Sequence, residues 1–194
     1  PKSDLRAIQN HYGRKSHINA RVLQVIRKPV TGTDKINLVF KIFEGNPFNL
    51  DLVQIEGNEK TKDFVIRREL AISSGERFDM GRVERSRRRI EGMRIFQSVR
   101  AFPRRGPYAR QGANPGETLN DALVVAVREK NTGTFMVGGG FSTDSGAFAN
   151  VIMGQENFDI KRWRRPHLLQ GAGQKIRLKA VAGGRYNNYR LDFE

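Results

Sequence analysis

The stretch Gln174–Ala182, QKIRLKAVA, alternates without a break: Ile176, Leu178, Ala180 and Ala182 fall on one side of an extended chain, Lys175, Arg177 and Lys179 on the other. A helix would mix the two sets, so the period of two predicts a β-strand with one apolar and one charged face. Past the turn-forming GGRYNN (183–188), Tyr189, Leu191 and Phe193 oppose Arg190, Asp192 and Glu194. Upstream, TFMVGGGFS (134–142) places Phe135, Val137 and Phe141 together. Helix signals vanish across 132–194, and two architectures share the pattern that remains. One is a transmembrane β-barrel with apolar residues toward lipid and charge toward its lumen; the other is a soluble sheet with one wet face.

Before residue 132 the periodicity changes. Residues 49–131 read strand, helix, helix, strand, strand. NLDLVQIEG alternates through Leu50 and Leu52 and ends in Gly57-Asn58, a turn pair. Thr61 is placed to cap a helix over KDFVIRRELAI (62–72), with Gly75 closing it, and Asp79 to cap a second. In the second helix Met80, Val83, Ile90 and Met93 share a face, and the small Ser86 within it lets the helix approach a sheet. The core predicted for this module is Val65, Ile66, Leu70, Val83, Ile90 and Met93. QSVRAFP and LNDALVVAVREK supply the last two strands. Residues 1–48 repeat the second half of that order: a helix in SDLRAIQNHYG, capped by Ser3 or Asp4 and ended by Gly13, then the strands ARVLQVIR and KINLVFKIFEG. Two tandem copies of one α+β module follow from this, the first lacking its beginning. A start at Pro1 with no signal-like segment, and an end at RLDFE inside a strand pattern, read as cuts in a longer protein.

The 194 residues carry a net charge of +15. Between Arg82 and Arg110 ten arginines stand against Glu84 and Glu91, a net of +8, so more than half the excess lies in one window. Such a patch attracts nucleic acid, acidic lipid or an acidic protein. Arg82, Arg85, Arg88 and Arg89 fall opposite Val83, Ile90 and Met93 on the second helix. They read first as the solvated face of an ordinary helix and second as a docking patch for anionic headgroups or an acidic partner. Nucleic acid ranks last, because no aromatic platform interleaves the charges.

With no cysteine, disulfides, thiolate metal sites and cysteine nucleophiles are excluded. His11, His17 and His167 lack ligand spacing, so no metal is expected. TDSG (143–146) is better read as a turn than as half of an aspartic protease site, which needs two carboxylates. GGGFST and GAGQ open no helix and complete no phosphate-binding pattern. Neither a catalytic site nor a cofactor is predicted.

IEGNEKTKDFVIRREL followed by TGTFMVGGGFSTDSG resembles the BamA-type outer-membrane assembly and translocation proteins, in which periplasmic POTRA modules precede a β-barrel. The matching positions run in order. Gly57, Asn58, Thr61, Asp63 and Arg67–Leu70 fit the opening strand and first helix of a module; Phe96 and Val99 fit the join of second helix to second strand. Glu129, Lys130, Thr132 and Gly133 fit the junction with the barrel. Gly140, Ser142, Thr143 and Gly146 fit its first strand and turn, Glu156–Phe158 the end of its second, and Gly171, Gly173 and Gln174 the start of its third. The segment DIKRWRRPHLLQ, with Trp163 among arginines, is longer than the family's usual link.

The resemblance implies an α+β chain: residues 1–48 the C-terminal part of a POTRA-like module, 49–131 a complete β-α-α-β-β module, and 132–194 the first antiparallel strands of a transmembrane β-barrel. It implies a fragment of a non-enzymatic outer-membrane assembly or insertion protein, with its modules in the periplasm. The implied partners are unfolded outer-membrane protein clients, accessory assembly proteins and outer-membrane lipid, with no nucleic acid. Clients would add to a sheet edge. Ser98, Val99, Arg100, Ala101 and Phe102, ending in Pro103, form the candidate edge, and LQVIRKP with Pro29 is its counterpart in the first segment. Ile176, Leu178, Ala180, Tyr189, Leu191 and Phe193 would face lipid. The contrasting reading is a soluble basic nucleic-acid-binding protein.

Overall fold

The computed structural model describes residues 2–32, 34, 36–105, 114, 116–143, 146–162, 169–184 and 186–194. Asp144 and Ser145 of TDSG, Trp163, His167 and Arg185 lie outside them, as do Arg110, the last of the arginine-rich window, and Arg164 and Arg165.

The described residues form three sheets. Helix α1 (Lys2–Arg14) precedes β1 (Arg21–Pro29) and β2 (Ile36–Phe43), an antiparallel pair with a bulge at Leu23. Next come β3 (Phe48–Glu56), α2 (Asp63–Arg67), α3 (Met80–Gly92), β4 (Phe96–Arg105) and β5 (Leu119–Glu129), with sheet order β3-β5-β4. The last four strands, β6 (Gly133–Ser142), β7 (Gly146–Phe158), β8 (Gln174–Gly183) and β9 (Asn187–Phe193), form an antiparallel meander in chain order. The β-α-α-β-β order of the middle segment is the one its periodicity predicts.

The chain divides into two compact units: 1–54 with 70–88 and 100–125, and 55–69 with 89–99 and 126–194. In the first, the buried apolar set is Phe48, Leu50, Val53, Ile72, Phe78, Val83 and Ala122–Val125. Strand β5 lies in the middle of its sheet, and Asp121–Val125 are buried without alternation, as a strand covered on both faces requires. In the second unit Val65, Ile66, Ile90, Ile95, Phe96, Val99 and Val127 are buried. Each large aliphatic or aromatic side chain so placed contributes about 1.5–3 kcal/mol relative to exposure.

Several local expectations fail for identifiable reasons. Helix α1 starts at Lys2, so Ser3 and Asp4 sit inside its first turn, and it runs through the buried Gly13 to Arg14. Helix α2 has five residues, not eleven. The N–H of Ala71, which a longer helix would direct to Arg67, instead donates to the Ser86 hydroxyl at 2.8 Å. Thr61 does not cap it: the N-cap is Lys62, with no side-chain hydrogen bond. Gly75 serves a later turn with φ of +89°. On β3 the inward set slips by one residue, since Leu50 and Val53 are buried while Leu52 is 46% exposed. Leu70 and Met93 are half-buried, whereas Val65, Ile66, Val83 and Ile90 are buried as predicted. Strand β4 continues past Pro103 to Arg105.

Candidate functional site

The β6–β9 sheet sorts its side chains into cross-strand rows. Antiparallel partners share a face, and the register aligns Phe135, Met153, Leu178 and Leu191 in one row. Two residues along, Val137, Val151, Ala180 and Tyr189 form the next. Ile176 pairs with Phe193 on the same side. The opposite face carries Thr134, Gly154, Arg177 and Asp192, then Met136, Ile152, Lys179 and Arg190. Alternation read on single strands is therefore a property of the whole surface. The apolar rows are bare: Phe135 is 64% exposed, Leu191 65% and Tyr189 72%. The charged rows border a basin of about 920 Å³ that Met93 and Arg94 also line. Lys175 closes its end with an ion pair to Glu194 at 3.0 Å.

A polar clasp holds the 58–63 turn against the ends of β7 and β8. Glu129 accepts hydrogen bonds from the backbone N–H of Lys60 and Thr61, the latter at 2.6 Å. Asn157, buried, donates from Nδ2 to Thr61 Oγ1 at 2.9 Å and accepts from the Gly173 N–H through Oδ1 at 2.9 Å. Its carbonyl accepts from Gly171 N–H, and the Gly171 carbonyl accepts from Lys62 N–H. Lys62 Nζ reaches the buried Asp159 carboxylate at 2.6 Å. Gly171, at φ of +120°, has Lys60 O only 2.3 Å from where a Cβ would stand, so no other residue fits. Spacing gave no hint of this clasp; the resemblance marked Thr61, Glu129, Asn157, Gly171 and Gly173 only one by one, as family positions along the chain.

The candidate edge residues lie on β4, an outer strand of its sheet. Ser98 and Arg100 are exposed, Val99 is buried, and Ala101 and Phe102 are half-buried. The sheet's other outer strand, β3, is covered at its start: Gly75 and Phe78 donate to Leu50 O and Phe48 O, and Leu50 donates to Glu76 O. Among the described residues nothing comparable covers the outer side of β4.

On α3, Asp79 Oδ1 accepts from the Gly81 and Arg82 N–H groups, the expected cap. Arg85, Arg88 and Arg89 are exposed, and Arg82 pairs with Glu76. Arg87 pairs with Glu84 through two bonds, which, with a weaker contribution from Arg88, hold the Glu84 carboxyl below its ordinary pKa. Arg85, Arg88 and Arg89 thus make no ion pair among the described residues, whereas Arg82 is held by Glu76 ahead of the helix and Arg87 by Glu84 within it.

Comparison with known proteins matches residues 49–130 to the POTRA family model, described as a surface antigen variable number repeat. The outer membrane protein assembly factor BamA of Neorickettsia risticii is 27% identical over 82% of this chain, and that of Neisseria meningitidis 26% over 97%. The chain spans about a fifth of the length of these relatives, 19% and 21% respectively. A crystal structure of Haemophilus ducreyi BamA lacking POTRA domains 1–3 superposes over 99% of this chain and 32% of its own, with a TM-score of 0.75 at 19% identity. That likeness concerns the fold.

Proposed function

The chain is a member of the BamA-like family, and on that footing we propose that it is part of an outer-membrane β-barrel assembly protein. Residues 49–131 would act as a periplasmic POTRA module, 1–48 as the end of a preceding one, and 132–194 as the first strands of the barrel. The observation that carries this reading is the pair of faces on the β6–β9 sheet, with apolar rows continuous across all four strands and charge confined to the other side. A soluble sheet would bury such rows. Here they stand exposed, and bilayer hydrocarbon is the solvent that suits them. Four strands leave open edges, and membrane barrels close with about eight or more, so the function belongs to a longer protein.

The module acts by binding, with no covalent step. An extended, unfolded outer-membrane chain adds to the β4 edge at Ser98–Phe102 through backbone hydrogen bonds. Pro103 lacks an N–H and so limits uncontrolled growth along that edge. Support comes from the covered state of β3, which makes β4 the open side. Arg85, Arg88 and Arg89 offer a second contact, to anionic headgroups or an acidic accessory protein. The nucleic-acid alternative draws no support from the sheet.

The test is membrane insertion of a barrel-complete protein carrying this sequence. Leu178→Arg should impair insertion, at about 2–4 kcal/mol for a position near mid-bilayer, while Arg177→Glu should insert normally. Normal insertion of Leu178→Arg with failure of Arg177→Glu would reverse the faces and remove the barrel reading.

A further inference from the structure

Where α1 ends, four cationic side chains gather around a groove of about 740 Å³: Arg14, Lys15, Arg77 and Arg82, with His17 beside them. The groove's two carboxylates are both committed. Glu76 pairs with Arg82, and Asp79 accepts the first N–H groups of α3. The lining therefore carries a formal +2 (four cations against two carboxylates), and Arg14, Lys15 and Arg77 have no ion-pair partner among the described residues.

The backbone is set to produce this cluster. The His17 N–H bonds to Tyr12 O at 3.0 Å, a helix-ending turn that puts Ser16 in the left-handed region at φ of +74°. Ser16 is buried and lacks the freedom glycine has there, and strain of that kind tends to persist where it positions function. Arg14 then lies over the start of α3, its Nε 3.2 Å from where a Gly81 Cβ would stand. That is the positive end of the α3 dipole, where the Asp79 carboxylate, already accepting from two helix N–H groups, is the anion the groove sets against the cation. Phe78 is the one apolar side chain in the lining and is fully buried, so an apolar segment finds no anchor. Guanidinium groups with exposed forks suit a tetrahedral oxyanion bound by paired hydrogen bonds.

We infer that this groove is a binding site for a phosphate-class anion, either free or carried by a lipid headgroup. It is separate from the α3 arginines 85, 88 and 89, and it ties the end of α1 to the start of α3 through a shared ligand.

The experiment is calorimetric titration of the whole chain, in nonionic detergent at fixed ionic strength, with inorganic pyrophosphate. Saturable binding is expected, weakened about tenfold or more by Arg77→Gln and by Arg14→Gln, and unchanged by Lys41→Gln, an exposed cation on β2 outside the groove lining. Arg77 is exposed and carries the test should Arg14→Gln fail to fold. Phosphatidylglycerol vesicles form the second arm. Vesicle binding that pyrophosphate displaces, and that Arg77→Gln weakens, assigns the anion to a headgroup; pyrophosphate binding without it assigns a free phosphate. Unsaturable binding, equal weakening by Lys41→Gln, or tighter binding of an acidic peptide than of pyrophosphate overturns the inference.

Discussion

Asn157 fills three hydrogen-bonding roles at once: its amide donates to Thr61 Oγ1, its side-chain oxygen accepts from Gly173 N–H, and its backbone carbonyl accepts from Gly171 N–H. Asn157→Ala keeps only the last. Each buried group left unpaired costs about 1–3 kcal/mol, so chemical denaturation should show a loss in that range or above. An unchanged midpoint would mean that the clasp's side-chain hydrogen bonds add nothing to stability in solution. The sequence shows Asn157 and Thr61 as polar residues but cannot show them as a pair, because 96 positions separate them. Lys62 and Asp159, 97 apart, were hidden for the same reason. Glu84 makes a prediction in pH. Its hydrogen bonds from Arg87 stabilise the carboxylate, so the folded pKa lies below the unfolded one. The stabilisation is then complete above the ordinary glutamate value and is lost as pH falls through the lowered one. Carbon-13 NMR of the Glu84 carboxyl should show the low titration, and Arg87→Gln should move it back up.

Helix α3 was the most legible element, because its apolar period and Asp79 cap are local signals. What the period missed is the Ser86 hydroxyl. Small size alone would let α3 approach its neighbours, yet Oγ also accepts from Ala71 N–H and donates to Arg82 O at 2.9 Å. Ser86→Ala keeps the size and strands a backbone donor, so a cost of about 1–3 kcal/mol is expected in thermal or denaturant unfolding. A cost near zero would reduce the residue to a spacer. The same bond explains the shortness of α2, where local propensity pointed to a longer helix and a distant hydroxyl took the N–H. Strand β3 misled differently. Leu50 and Leu52 alternate in sequence, but the slip before Val53 turns Leu52 outward, and a slip of one residue leaves no compositional mark. On the polar face of α3, replacing Arg82, Arg85, Arg88 and Arg89 together with Gln should change stability by no more than about 0.5 kcal/mol each, since the Arg82–Glu76 pair is largely solvent-exposed. If the patch docks on membranes, binding to anionic liposomes should fall; unchanged binding would leave it a solvated face.

At the scale of the molecule, alternation on single strands left two architectures open, and the cross-strand register separates their consequences. Rows such as Phe135–Met153–Leu178–Leu191 make one face apolar from β6 to β9, while Arg177 and Asp192 share a row on the other. On β6 the shared face read for Phe135, Val137 and Phe141 extends across the sheet through pairing with β7. The absence of cysteine makes the decisive measurement clean, because every introduced thiol is the only one in this chain. Single cysteines at 177, 178, 190 and 191, placed in a barrel-complete protein carrying this sequence and reconstituted in bilayers, would carry spin labels for accessibility to oxygen and to a polar nickel chelate. Positions 178 and 191 should favour oxygen and 177 and 190 the chelate, alternating residue by residue. Chelate access at all four positions, or the opposite alternation, would contradict a lipid-facing sheet.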